Sequence, residues 1–264
     1  MSTPCIGFGN LTDSSTLSGS GWHSSYPLSN LQDRRLSRYA QTTGTTAEII
    51  FDHGSAKGAR VFCLFGHDCG QLDTIAVTRG TTSGGTDVVN EAPVTVWPFT
   101  PIDEIYDGGH FGIFVILGSE SSARYTKLEV SGSATMRFSR PFVGRLFEPT
   151  YSAESGKLED GWQDPNSTLV RGESGADSPW SRPEQRMAPF EYSALTLTAG
   201  SQFHEIVRTH GITEELVYVR SLASRSVQQQ YGFLATMQRL SALQNPFFGH
   251  NSAAVALIER GGAP

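Results

Sequence analysis

Short alternations of apolar and polar residues, separated by Gly, Ser and Asp, run through most of this chain. In AEIIFD, Ala47, Ile49 and Phe51 share one parity while Glu48 and Asp52 take the other, which predicts a half-buried strand. Residues 61–65, VFCLF, are continuously apolar and fit a strand covered on both faces. DTIAVT returns to alternation at Ile75 and Val77, and VTVWPF and FGIFVIL follow a Gly-rich turn. RYTKLEV then places Thr126, Leu128 and Val130 on one face, and ATMRF does the same with Ala134, Met136 and Phe138. Short strands with turn signals between them predict an all-β fold: an antiparallel jelly-roll sandwich over residues 1–140.

After Phe138 the rhythm changes. Residues 153–189 lack apolar periodicity, yet they carry Trp162, Trp180 and four prolines. So long a connection is uncommon in a compact domain, and disordered linkers are poor in aromatics. Residues 141–189 therefore read as an extended arm packed on a neighbouring chain through Trp162 and Trp180, or as a long loop covering its own domain. In residues 190–264, FEYSALTLT changes parity between Ala194 and Leu195, which predicts a bulge. SQFHEIVRTHG is the one clear helix: Ser201 as cap, Phe203, Ile206 and Val207 on one face, and Gly211 as stop. ELVYVRSL, YGFLATMQRL and AAVALIE supply three more strands, so this part reads as a small β-barrel-like or α+β domain.

Composition narrows the function classes. A net charge of −6 and a pI near 5.6 argue against nucleic-acid binding, and the Arg34, Arg35, Arg38 cluster is too small to change that. No apolar run approaches the roughly 20 residues a membrane span needs. The start, MSTPCIGFGNLTDSS, lacks the basic and apolar regions of a signal peptide, and GFGNL within it reads as a flexible opening. Cys5, Cys63 and Cys69 are odd in number and form no disulfide framework. His67, Asp68 and Cys69 lie too close together for a structural zinc site, so GHDCG reads as a turn.

Trp22, YPLSNLQD (26–33), Ser37 and Ala40, then IIFDHG, VFCLFGH and ARYTKLEV, resemble the galactose-binding-like or discoidin-like jelly roll. In that family an aromatic-proline stretch ending in Asn-Leu precedes a strand closing on Asp-x-Gly. The likeness spans residues 21–138, and its YPLSNLQD form looks most like that of tail-tip and baseplate proteins of long-tailed bacteriophages. It implies a structural protein of the virion, made in the bacterial host cytoplasm. Its implied partners are other tail proteins, copies of itself and a host-surface glycan. In the opening stretch Pro27 keeps the chain extended, and Trp22, Tyr26, Leu28 and Leu31 are candidates for burial, with Asn30 capping a short turn. The alternative use of Trp22, His23 and Tyr26 is a sugar-binding platform, which would make the chain a carbohydrate-binding module.

Catalytic signatures are sparse. There is no GxSxG, HExxH, P-loop or dinucleotide fingerprint. Two carboxylate groups, Asp103, Glu104, Asp107 and Glu159, Asp160, Asp164, would be needed in pairs for glycoside hydrolysis. In Gly-rich turns such residues ordinarily bond their own backbone. His204 and His210 sit six apart on the helix, where a shared metal would prefer four. The expectation is a non-enzyme with no cofactor and no metal.

Overall fold

The structure is a computed structural model that describes residues 3–98, 112–149, 158–163, 168–171, 177–180, 185–240, 243–247 and 250–260. The first strands are β1 (Cys5–Phe8), β2 (Thr16–Ser18), β3 (Ala40–Gln41), β4 (Thr46–Phe65), β5 (Thr74–Gly80), β6 (Val89–Asn90) and β7 (Val94–Thr95). Then come β8 (Ile113–Ser131), β9 (Arg137–Phe138), β10 (Arg140–Phe147), β11 (Gly161–Gln163), β12 (Thr168–Arg171), β13 (Asp177–Trp180) and β14 (Gln185–Thr196). The chain continues through α1 (Leu197–His210), β15 (Leu216–Val219), α2 (Arg225–Tyr231), β16 (Phe233–Met237), β17 (Leu243–Phe247) and β18 (His250–Glu259). A 3-10 turn covers Leu28–Gln32.

The all-β expectation holds. β4 and β8 are long antiparallel partners whose register shifts twice, between Asp52 and Lys57 and between Ala59 and Val61. Such bulges bend the ribbon, so its two halves close over one core as a jelly roll. Arg79 on β5 is fully buried at the bend. Its guanidinium donates to the carbonyl of Lys57 at 2.8 Å, the Ser121 hydroxyl at 2.7 Å and the Thr126 hydroxyl at 3.1 Å. Backbone carbonyls beside the register shifts thereby gain donors, and burial lowers the arginine pKa to about 10.

The core inside this jelly roll contains Ile49, Phe51, Phe62, Leu64, Leu128 and Phe138. Parity placed Ile49, Phe51, Leu128 and Phe138 inward, and Phe62 and Leu64 come from the run expected to be covered on both faces. A second core gathers Phe190, Tyr192, Phe203, Tyr218, Phe233 and Leu257 beneath α1. One sheet runs through both halves in the order β11-β14-β18-β16-β15-β1-β10-β4-β8-β5-β6. A third core mixes Cys5, Cys63, Phe114, Phe142, Val217 and Leu234 from either half, so the two lobes share buried surface.

Several details correct the sequence reading. Within GFGNL, Gly7 and Phe8 are instead the end of β1, which is wholly buried in mid-sheet between β10 and β15. Gly7 permits this, because a Cβ there would lie 3.0 Å from Val217. The helix begins earlier than Ser201: Thr196 caps it, its side-chain oxygen accepting from the Ala199 amide at 3.2 Å. A second helix, α2, was not expected, and it buries Gln228 and Gln229 rather than an apolar stripe. Asn30 does not cap the 3-10 turn; it donates to the Tyr39 carbonyl at 2.9 Å. The bulge in β14 is present, with the register shifting between Tyr192 and Leu195.

In the connection between the lobes, β11 pairs with β14, and β12 pairs with β13 as a separate hairpin. The side chains of Trp162 and Trp180 lie outside the described residues, as do Asp103, Glu104, Asp107 and Asp164. No helix among the described residues is long and apolar enough to cross a membrane.

Candidate functional site

The segment before β3 is held against β4 by backbone contacts. Gly21 adopts φ +85°, and a Cβ there would sit 2.6 Å from the Thr46 carbonyl, so only glycine fits without strain. The His23 amide donates to the Gln41 carbonyl at 2.8 Å, and the Gln41 amide donates to the Tyr26 carbonyl at 3.1 Å. β3 in turn pairs with β9, Ala40 opposite Phe138 and Gln41 opposite Arg137. These bonds bring residues 22–26, Tyr39 and Arg137 to one end of the jelly roll.

There the three residues of the expected platform part company. The Trp22 ring turns inward: it is partly buried, meets Phe138 edge-on at 6.3 Å, and its Nε1 donates to the Glu48 carbonyl at 2.8 Å. His23 and Tyr26 stay exposed and touch each other, ring centroids 5.7 Å apart. Tyr26 then stacks on Tyr39 at 4.8 Å with only 19° between the ring planes. The Arg137 guanidinium lies over the Tyr39 ring at 5.1 Å. The result is a surface column: His23, Tyr26, Tyr39, Arg137.

Asp68 anchors the far end. Its carboxylate accepts from the Arg137 amide at 2.6 Å and lies 3.7 Å from the guanidinium. Both side chains are about half exposed, so the pair adds little stability and serves to fix position. Hydrogen bonding with Tyr26 raises the Tyr39 phenol above its ordinary pKa. His23 Nδ1 accepts from the Ser25 amide at 3.1 Å, leaving Nε2 to carry the proton. Within the column the Tyr39 ring meets both Tyr26 and Arg137. What the column presents outward is an edge of hydroxyl, imidazole, guanidinium and carboxylate groups.

Sequence reading found His23 and Tyr26 and missed Tyr39, Arg137 and Asp68. The signal for Arg137 was its outward parity between buried Met136 and Phe138. Asp68 stood in the GHDCG turn, where His67 and Cys69 are buried and Asp68 alone faces β9. Among the described residues no three His, Cys, Asp or Glu side chains gather as a metal site.

Two substitutions separate the ring roles. Trp22→Ala is expected to lower stability by about 2–3 kcal/mol, while Tyr26→Ala costs under about 1 kcal/mol. Urea denaturation of the two variants checks this; equal losses would mean that Tyr26 also supports the core.

No protein-family model matches this chain, and no curated protein does. Solved structures that overlap it include carbohydrate-binding modules. The family 32 module of NanJ from C. perfringens, in complex with galactose, aligns with TM-score 0.39 and 11% identity, covering 52% of this chain and 98% of that one. Chitosan-binding module 1 of a Paenibacillus chitosanase/glucanase aligns with TM-score 0.38 and 15% identity, again over 52% and 98%. A GH29 fucosidase from Ruminococcus gnavus aligns with TM-score 0.36 and 16% identity; the match spans 55% of this chain and about a quarter, 27%, of the fucosidase.

Proposed function

We propose that this chain is a glycan-binding β protein that recognises sugar at the His23–Tyr26–Tyr39–Arg137 column. The observation that carries the reading is the exposed stack itself, closed at one end by the Arg137–Asp68 pair. Sugar hydroxyls need donors and acceptors at fixed spacing, and the column edge supplies both kinds. Stacking holds these side chains in place before a ligand arrives, so less ordering entropy is lost on binding. Binding rather than hydrolysis is the role we assign.

The test is retention on immobilised neutral and acidic polysaccharides. The wild type is expected to be retained by at least one of them. Tyr39→Ala and Arg137→Ala are expected to weaken that retention about tenfold, with thermal unfolding nearly unchanged. Retention that is absent throughout, or unchanged in both variants, would overturn the reading.

A second reading sets the same surface within a bacteriophage tail tip or baseplate, beside other tail proteins and further copies of this chain. The likeness of residues 21–138 supports it, as does the shared third core, which makes the two lobes one stiff block suited to assembly. Immunogold labelling of virions with an antibody to this chain tests it. Label confined to the tail end is expected, and unlabelled particles would contradict it.

A further inference from the structure

A cleft opens in the second lobe, where the starts of β11, β14 and β16 meet the end of α2. It holds about 130 Å³ and is lined by Asp160, Arg186, Met187, Gln230, Tyr231 and Phe233. Its charges come in matched pairs. Arg220 approaches the Asp160 carboxylate at 3.0 Å, and Arg186 approaches that of Glu259 at 2.6 Å. The Tyr218 hydroxyl also donates to Asp160 at 3.0 Å. Arg220 lies over the Tyr231 ring at 4.1 Å, and Arg186 lies over Phe233 at 5.3 Å.

We infer that this cleft is a second binding site, one that takes a single neutral sugar ring. Three observations lead there. Each cation is already matched by a carboxylate, so an anionic or cationic ligand would enter with no uncompensated opposite charge and would lose its hydration. A neutral polyol can use the carboxylate lone pairs of Asp160 that Arg220 and Tyr218 leave over, without that cost. The space is well below the 300–1,000 Å³ of typical drug-sized pockets and suits one ring. Finally, Tyr231, with 37% of its surface exposed, and Met187 give the apolar wall that a sugar's C–H face requires.

The cleft stands independently of the column on the first lobe. Should both bind, one polysaccharide could be gripped twice by one body, raising retention beyond either affinity.

The test uses the full chain carrying Tyr39→Ala, with saturation-transfer NMR against galactose, N-acetylglucosamine and glucuronate. Transfer to at least one neutral sugar is expected, with weaker transfer to glucuronate. Adding Asp160→Asn or Tyr231→Ala is expected to reduce the neutral signal at least tenfold. Absence of neutral-sugar transfer, a preference for glucuronate, or an undiminished signal in the cleft variants would each overturn the site. Where Asp160→Asn lowers the melting temperature, Tyr231→Ala decides, since its side chain is partly exposed at the cleft. Loss of column binding with cleft transfer intact would separate this site from the proposed function.

Discussion

Glu215→Ala is expected to destabilise the protein by about 3–5 kcal/mol, the usual result of stranding one member of a buried ion pair. Arg140, fully buried, donates to the Glu215 carboxylate at 2.7 Å, and Glu215 is itself only 2% exposed. Arg260 also pairs with Glu215, and Asn10 donates to it at 2.9 Å. On the other flank Arg140 reaches Asp13 at 2.6 Å and the Leu31 carbonyl at 3.2 Å. Arg34 extends the network by bridging Asp13 at 2.9 Å and Glu214 at 3.0 Å. The network thus ties jelly-roll segments to the start of β15 and the end of β18. Removing Glu215 leaves a desolvated guanidinium with one partly exposed carboxylate. For a chain of this size the loss corresponds to a fall in melting temperature of about 10 °C. Arg140→Met combined with Glu215→Leu is expected to cost less than the sum of the single changes, because both charges leave together. Calorimetry of Glu215→Ala, of the two single changes Arg140→Met and Glu215→Leu, and of their double checks this. A Glu215→Ala shift below about 2 °C would mean that the joint is not held by these charges.

Acidification from pH 7 to 4.5 is the second large effect expected. His53 is buried in a directional chain of hydrogen bonds. Arg79 Nε can only donate, so Thr126 accepts from it and turns its own proton to His53 Nε2 at 3.0 Å. His53 Nδ1 then donates to the Ser15 hydroxyl at 2.6 Å, and Ser15 donates to the Leu11 carbonyl at 2.6 Å. A proton added at Nε2 would face the Thr126 hydroxyl proton. Burial first, then the Arg79 charge, lowers the His53 pKa to about 4. His67 stands in a similar position. Its Nδ1 accepts from the Cys69 amide at 3.3 Å, and burial lowers its pKa to about 4.

The folded pKa values lie below the unfolded value of about 6.5, so unfolded chains bind more protons between those limits. The neutral imidazoles therefore contribute full stability above about pH 6.5 and lose it progressively down to about pH 4. For a shift of this size the loss is about 3 kcal/mol per histidine. Asp33 and Asp52, held well below the usual carboxylate range by Arg35 and Arg124, act in a lower window, below about pH 4. Urea midpoints at pH 7 and 4.5 are expected to differ strongly, and His53→Gln is expected to flatten the difference. A constant midpoint over that range would contradict the burial of both rings.

The strand pattern was legible wherever one face of a strand was dry. Ala47, Ile49 and Phe51 alternate because β4 has one buried face there, and residues 61–65 do not because the third core covers the other face. β1 escaped notice because CIGF is four residues long and its last two residues, Gly7 and Phe8, open GFGNL, which looks like a loop. Its burial depends on β10 and β15, which lie far along the chain. The start of α1 was misplaced because Gly200 reads as a helix breaker. It is tolerated for packing: a Cβ there would sit 2.1 Å from the Asn251 amide nitrogen. In α2 the buried face is made of glutamines, so no apolar period exists to read.

Half of the column was legible for a similar reason. His23 and Tyr26 stand together in the sequence beside Pro27, whereas Tyr39, Arg137 and Asp68 meet them only through the pairing of β3 with β9. Grouping Trp22 with them followed from adjacency alone. The chain turns between His23 and Tyr26, the Tyr26 amide donating to the His23 carbonyl at 3.1 Å, so Trp22 faces the core while His23 and Tyr26 face outward.

The most direct measurement is a heteronuclear NMR titration of the full chain with a retained polysaccharide fragment. Sugar recognition at this end of the jelly roll predicts that the largest shifts fall on His23, Tyr26, Tyr39, Asp68 and Arg137, while Trp22 moves little. Shifts that leave these five untouched, or that centre on the buried Arg140–Glu215 joint, would contradict it.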